Sequence, residues 1–380
     1  MLSNTTGAKN TVVGAQALDA NSTGGNNTAV GYQALSTNTT ASNNTAFGYQ
    51  ALLDNTTGTD NVAMGVLALE NNTTGVNNVG MGREALGANT TANNNVAVGY
   101  HALLSNTTGA ENVAMGKGAL DANTTANSNV GIGNNALGAN TTGAFNVAVG
   151  AESLKVNATG AQNTAVGYAA GQGCTAASSF NVAVGDETLL TSGEKSYNTA
   201  VGSDSLRGLT TGTNNTGLGY NTLAATTTGS SNTAIGSDAL DAVTTGDANT
   251  SVGRFSGSAV TTAIGVTAVG YQALDANTTG NYNVAIGFDC LSANTTAVNN
   301  TGVGTNALVA NTTGAENTGI GRSALESNTT ASNNTAVGRK CLQTTTTGHS
   351  NTAMGETAAQ NVTGSGNTAI GREAMQLGTP

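Results

Sequence analysis

The sequence predicts an all-β fold, a parallel β-solenoid (β-roll) of about 22 rungs with a 17-residue repeat. Three observations carry this reading. The string Asn27-Thr28-Ala29-Val30-Gly31-Tyr32-Gln33-Ala34-Leu35, or a close variant, recurs along the whole 380-residue chain, in 22 copies that begin between Asn10 and Asn367. The composition is foreign to an ordinary globular core: 8% charged and 3% aromatic residues, 53 glycines, one proline and no tryptophan, where about a quarter charged is usual. The period is also too short for a helix pair, and Gly, Asn and Thr are poor helix formers. One copy cannot bury its own apolar side, whereas stacked copies can.

Numbered from the leading Asn, slots 1 to 17 read N-[TV]-A-V-G-Y-Q-A-L-x-x-N-T-T-[GA]-x-x. The spacing is 17 residues, with one step of 18 (Asn163 to Asn181) and one of 16 (Asn351 to Asn367). Slots 2, 3 and 4 run β-branched, small, apolar, and a period of two on a Thr- and Val-rich stretch predicts a strand. Slot 5 is Gly in all 22 copies, including Gly31, Gly48, Gly65, Gly82, Gly99 and Gly116. That predicts a structural turn with positive φ or a very close backbone approach. Slots 8 and 9, mostly Ala-Leu, predict a second short strand. Slots 12 to 15, NTTG or NTTA, predict a turn, since Asn and Thr side chains bond local backbone and Gly takes the awkward φ. Slots 6 and 7 vary and read as a solvated face that carries Glu84, Asp186, Glu187, Asp204 and Asp238.

A roll this thin has interior room for one kind of side chain. Slots 3 and 8 are assigned to the interior, and slots 2 and 4 to contact with further chains. With rungs ~4.8 Å apart, 22 of them make a rod of roughly 105 Å. A single array covers 1–380, with irregular rungs near 171–181, 249–266 and 351–367; Gly171 and Gly257 replace the slot-9 Leu there. Met1 falls in slot 9 and Pro380 in slot 14, with no capping sequence at either end. The chain therefore reads as a segment of a longer fibre, or as copies that join end to end.

The core N-[TV]-A-[VI]-G-x-x-[AS], as at Asn27-Thr28-Ala29-Val30-Gly31 and Asn232-Thr233-Ala234-Ile235-Gly236, resembles the YadA-like head repeat of trimeric autotransporter adhesins, a left-handed parallel β-roll. It is similar also to Asn/Thr-rich repeats of phage tail fibres. The resemblance spans nearly the whole chain, although the adhesin repeat is usually shorter and the extra residues here lie in the NTTG turn. It implies a homotrimer around one axis, and an exposed fibre on a cell surface or virion that bears or reaches a host glycan or receptor.

Other functional classes are disfavoured. A net charge of -10, a pI near 4.5 and 11 basic residues offer no stripe for nucleic acid. No apolar run approaches the ~18 residues of a membrane span, and the opening MLSNTTGAKN lacks the features of a signal peptide. The motif G-x-G-x-x-A at Gly80-Gly82-Ala85 is slots 3, 5 and 8 of the repeat, without the strand–helix context a dinucleotide needs. His101 and His349 are about 15 rungs apart, on the order of 70 Å, too far to share a catalytic or metal site. No enzyme activity, cofactor or metal is expected. Three cysteines do not make a disulfide framework. Cys290 and Cys341, both in slot 8, read as buried small residues. Cys174, in slot 12, is expected to be exposed or half exposed.

Candidate sites lie in the Asn-Thr-Thr column. Asn-x-Thr recurs at Asn21, Asn38, Asn55, Asn72, Asn89, Asn106, Asn123, Asn140 and Asn157, and again at Asn277, Asn294, Asn311 and Asn328. On exposed turns these would be N-glycan acceptors, coating an extracellular filament. The competing reading makes them turn and ladder formers whose sequons are accidental; Thr-linked sugars are a further option. The paired Thr column also raises an ice-binding reading, against which adjacent Thr residues in a strand point to opposite faces. The function expected is a structural fibre segment, a spacer or adhesin stalk that presents a receptor-binding tip.

Overall fold

The computed structural model describes residues 3–376; the placements expected for Met1 and Pro380 lie outside them. The chain divides into two compact units, Met1–Lys195 and Ser196–Pro380. The first holds eleven three-residue strands, from β1 (Thr11–Val13) to β11 (Val182–Val184). The second holds eleven more, from β12 (Thr199–Val201) to β22 (Thr368–Ile370). Every strand is slots 2 to 4 of its copy. Within each unit successive strands pair in parallel, slot on slot, as in Thr28↔Thr45, Ala29↔Ala46 and Val30↔Phe47. The described residues contain no helix. This is a parallel β-solenoid with a 17-residue repeat.

The long and short steps do not disturb the register. Thr164 pairs with Val182, and Thr352 with Thr368, so the inserted and the missing residue are absorbed in the turns. The copy that starts at Asn249 keeps its strand, Thr250–Val252, in register on both sides.

Slot 5 turns the corner through two constraints at once. Gly31 sits at φ 137° and Gly48 at φ 143°, a region L side chains rarely visit. A Cβ on Gly31 would also stand 2.3 Å from the Gly48 carbonyl oxygen of the next turn.

The second strand expected at slots 8 and 9 does not form. Slots 6 to 11 are a turn in which two residues per copy take left-handed backbone: Gln33 at φ 55° and Leu35 at φ 54°, Asn221 at 56° and Leu223 at 51°. A left-handed Leu costs on the order of 1–2 kcal/mol. Complete burial of its side chain returns about 2 kcal/mol, and the inter-turn bond Leu35 N–H to Ala51 O at 2.9 Å adds to that. A strand would have pointed Ala and Leu to opposite faces; the alternating handedness turns both inward. Gly171 at φ 63° and Gly257 at φ 61° take the same conformation without strain, so Gly for Leu at slot 9 suits the backbone.

The interior has two halves. The apolar half stacks Ala29, Ala34 and Leu35 on their counterparts in each turn, all at 0% exposure. The polar half stacks the asparagines of slots 1 and 12, which are equally buried.

Candidate functional site

The slot-12 asparagines do not lie on exposed turns. All thirteen candidate acceptors, Asn21 to Asn157 in the first unit and Asn277 to Asn328 in the second, are buried at 0% exposure. Asn38 Nδ2, the atom a sugar would occupy, donates to Asn21 Oδ1 at 2.8 Å and to the Ala41 carbonyl at 3.0 Å. Asn72 repeats the pattern on Asn55 and Gly75 at 2.8 and 3.1 Å, and Asn294 on Asn277 and Ala297 at 2.8 and 3.2 Å. The expectation of exposed acceptors is corrected for a physical reason. A buried amide must satisfy both its donor and its acceptor, and stacking identical asparagines does so only when they point inward. The column ends at Asn157, whose Oδ1 accepts from Gly160 N–H at 2.8 Å while its buried Nδ2 has no partner.

Slot 1 builds a second ladder. Asn27 Oδ1 accepts the Asn44 backbone N–H at 3.0 Å, and Asn27 Nδ2 donates to Ala41 O at 2.9 Å. The slot-15 carbonyl thus receives both asparagine columns. The threonine pair splits as well. Thr39 Oγ1 donates to Thr56 O at 3.2 Å and Thr73 Oγ1 to Thr90 O at 3.0 Å, so slot-13 hydroxyls are spent inside the stack. Slot-14 threonines such as Thr40, Thr57 and Thr74 face solvent.

The outward face of the strands exposes apolar side chains in each unit. Slots 17, 2, 4 and 6 face outward while the side chains of slots 1 and 3 point in. In the first unit slot 4 exposes Phe47, Met64, Met81, Met115 and Ile132, and slot 6 exposes Tyr32, Tyr49 and Tyr100. In the second unit the same columns expose Leu218, Ile235, Ile286 and Ile320 with Tyr220, Tyr271 and Phe288. The aromatic rings stack between turns, Tyr32 on Tyr49 at 5.6 Å and Tyr271 on Phe288 at 5.5 Å. Eleven turns at ~4.8 Å and six residues of width give a face on the order of 1,000 Å² per unit. The alternation in slots 2 to 4 had pointed to this face; its extension through slots 17 and 6 was masked by their variable residues.

The groups with chemistry are scattered. His101 has neighbours of its own: its Nε2 lies 2.9 Å from Glu84 Oε2, and its ring stacks on Tyr100 at 3.7 Å. His349 is exposed, with Nδ1 3.3 Å from Ser350 Oγ. Among the described residues no three His, Cys, Asp or Glu are grouped to hold a metal. Burial raises the carboxyl pKa of Asp121, Asp241 and Asp275, all in slot 10. Asp121 and Asp275 line shallow depressions of ≈ 310 and ≈ 320 Å³ on the side formed by slots 7, 10 and 11. Glu84 and Asp204 are partly buried rather than fully solvated, and Asp204 lies 3.5 Å from Arg207.

All three cysteines are free and buried. Burial pushes Cys290 up to about 12 and Cys341 up to about 11. Cys174 is also at 0% exposure, against expectation, because slot 12 points into the polar half of the interior. No protein-family model matches this chain, and no curated protein matches it.

Proposed function

We propose that the chain is a structural fibre segment that associates with two further copies of itself through the outward strand face, and that it acts as a spacer or stalk outside the cell or on a virion. The single observation that carries the reading is the apolar column on that face, one residue per turn. Monomers rarely leave contiguous apolar patches above a few hundred Å². The apolar column runs the length of a mixed face on the order of 1,000 Å² per unit, which is comparable with the ~800 Å² per partner of a standard interface. The likeness of N-[TV]-A-[VI]-G to trimeric adhesin heads supports three chains rather than two. The self-satisfied interior of each unit suits a load-bearing spacer, and the receptor contact of such a fibre belongs to its tip.

Native mass spectrometry tests the assembly. A mass of three 37.1-kDa chains is expected. A single-chain mass would remove the trimer and favour the ice-binding reading, which the exposed slot-14 threonines support and which thermal hysteresis would detect. Ile132→Asp with Ile235→Asp, one change on each unit's face, should dissociate the trimer while leaving the circular dichroism spectrum intact.

A further inference from the structure

The first unit abandons its asparagine column in one place. Slot 12 is Cys174 in the 18-residue copy and Ser192 in the next, and Ser192 faces solvent. The vacated interior is filled by Lys195, in a slot that is Gly or Ala in most copies. Lys195 is 1% exposed and Cys174 0%. Cys174 pairs in parallel with Gly193 of the following turn, through Thr175 N–H to Gly193 O at 3.3 Å and Gly193 N–H to Gly173 O at 3.1 Å. Two residues further along an extended chain, Lys195 returns to the side that Gly193 occupies. One strand spacing across and two residues along place the two Cα atoms about 8 Å apart, within the combined reach of a thiol and a lysine side chain. Lys195 Nζ donates to the Thr191 carbonyl, and the thiol and the ammonium are close enough to feel each other's charge.

We propose that Cys174 and Lys195 form a covalent sulfur–nitrogen cross-link between neighbouring turns, made during folding with a peroxide as oxidant. Hydrogen peroxide first converts the thiol to a sulfenic acid. The sulfur gives up two electrons, the O–O bond breaks, and one water leaves. The lysine amine then attacks the sulfenic sulfur. The S–N bond forms, the S–O bond breaks, and the departing hydroxide takes the amine proton as a second water. Oxidation belongs to the open chain, where the thiol is accessible; in the folded turn burial pushes it up to about 11 and shields it. Burial also lowers the Lys195 pKa, toward the neutral amine that attacks. The bridge replaces, at this turn, the asparagine bonds it has lost. It stands independently of how chains assemble.

The test follows the whole chain by mass. Protein refolded with and without hydrogen peroxide is denatured, alkylated, digested with trypsin and analysed by mass spectrometry. Peroxide is expected to yield the tryptic peptide 156–207, uncut at Lys195 and closed by an internal Cys174–Lys195 loop, with a mass about 2 Da below that of the same linear peptide. Cys174 should resist alkylation, trypsin should fail to cut after Lys195, and reductant should reverse all three. Cys290 and Cys341, in the slot-8 column of the second unit, should stay alkylatable and report ordinary thiols. Lys195→Met, whose peptide 156–207 is uncut in any case, should lose the 2-Da deficit and leave Cys174 without a nitrogen bridge. A Cys174 that carries only added oxygen, with trypsin still cutting after Lys195, overturns the proposal, as does a Cys174 alkylated in full. The same comparison on protein isolated from cells grown with and without peroxide removes any dependence on refolding.

Discussion

At the residue scale, a substitution here meets its own counterpart one turn away. A Cβ on Gly150 would sit 2.2 Å from the Gly167 carbonyl oxygen, and on Gly219 2.9 Å from the Gly236 carbonyl carbon. Both glycines also have positive φ, 131° and 137°. Gly150→Val and Gly219→Val should each cost about 3 kcal/mol or more, combining backbone strain with the clash. Tyr100→Ser and Gln272→Ser should melt within a few degrees of the parent in monomeric form. Equal melting curves for all four variants would overturn the corner geometry. Asn72→Asp is a sharper probe, since it keeps the shape and removes the donor. At neutral pH it leaves a buried charge in the ladder and should cost on the order of 3–5 kcal/mol. The pKa of such a carboxyl is raised in the folded state, so the damage should shrink as pH falls and the group protonates. Chemical denaturation at pH 7 and pH 3 would show whether it does.

Lys195 has the opposite sign. Burial lowers its pKa below the usual 10.5, so the unfolded chain holds the proton more tightly. Stability of the first unit should therefore rise with pH up to about 10.5. Lys195→Met should flatten that slope and raise the melting temperature at pH 7, because an apolar side chain of similar length needs no desolvation.

At the element scale the repeat shows what a sequence can and cannot announce. Strand, corner and interior slots were legible because each depends on residue type: Thr and Val for pleat, Gly for the corner, Ala for a thin core. The left-handed turn at slots 7 and 9 was not. Leu carries no local signal for positive φ; Leu35 adopts it because burial and an inter-turn bond outweigh a modest strain. The slot-12 asparagines admitted two readings, exposed acceptors and turn or ladder formers; the residue type suits both, and the stack of Asn38 on Asn21 is the ladder. Cys174, in the same slot, was misplaced, since that slot is buried. The variable outward columns hid the extent of the apolar face, since Tyr32, Arg83 and Asn134 share slot 6. Leu103→Ala tests the apolar half of an element. Emptying a fully buried slot 9 should cost about 2–4 kcal/mol, more than Gly171 costs in its own copy, where the neighbours already fit.

At the scale of the molecule, each turn contacts the one before and the one after, so stability within a unit is a sum of neighbour terms. Deleting the whole copy Asn61–Asn77 should leave parallel pairing intact, with Thr45 on Val79, and lower the melting temperature by a few degrees at most. Deleting eight residues from the same copy leaves nine, too few to complete a 17-residue turn, so the strands on either side can no longer stack slot on slot, and folding across the deletion should fail. Circular dichroism melts of the two deletions would separate a modular stack from a unique core.

The slot-on-slot register has a genetic consequence. Because each turn presents the next with the surface it received from the last, the coding sequence can slip by one whole repeat during replication or recombination and still encode a foldable chain. Length is then a heritable variable that costs no new packing solution. A lineage could lengthen or shorten this protein one turn at a time, while a slip larger than the single residues absorbed in the turns before Val182 and Thr368 is removed by misfolding. The near-uniform 17-residue spacing is the trace such a filter would leave.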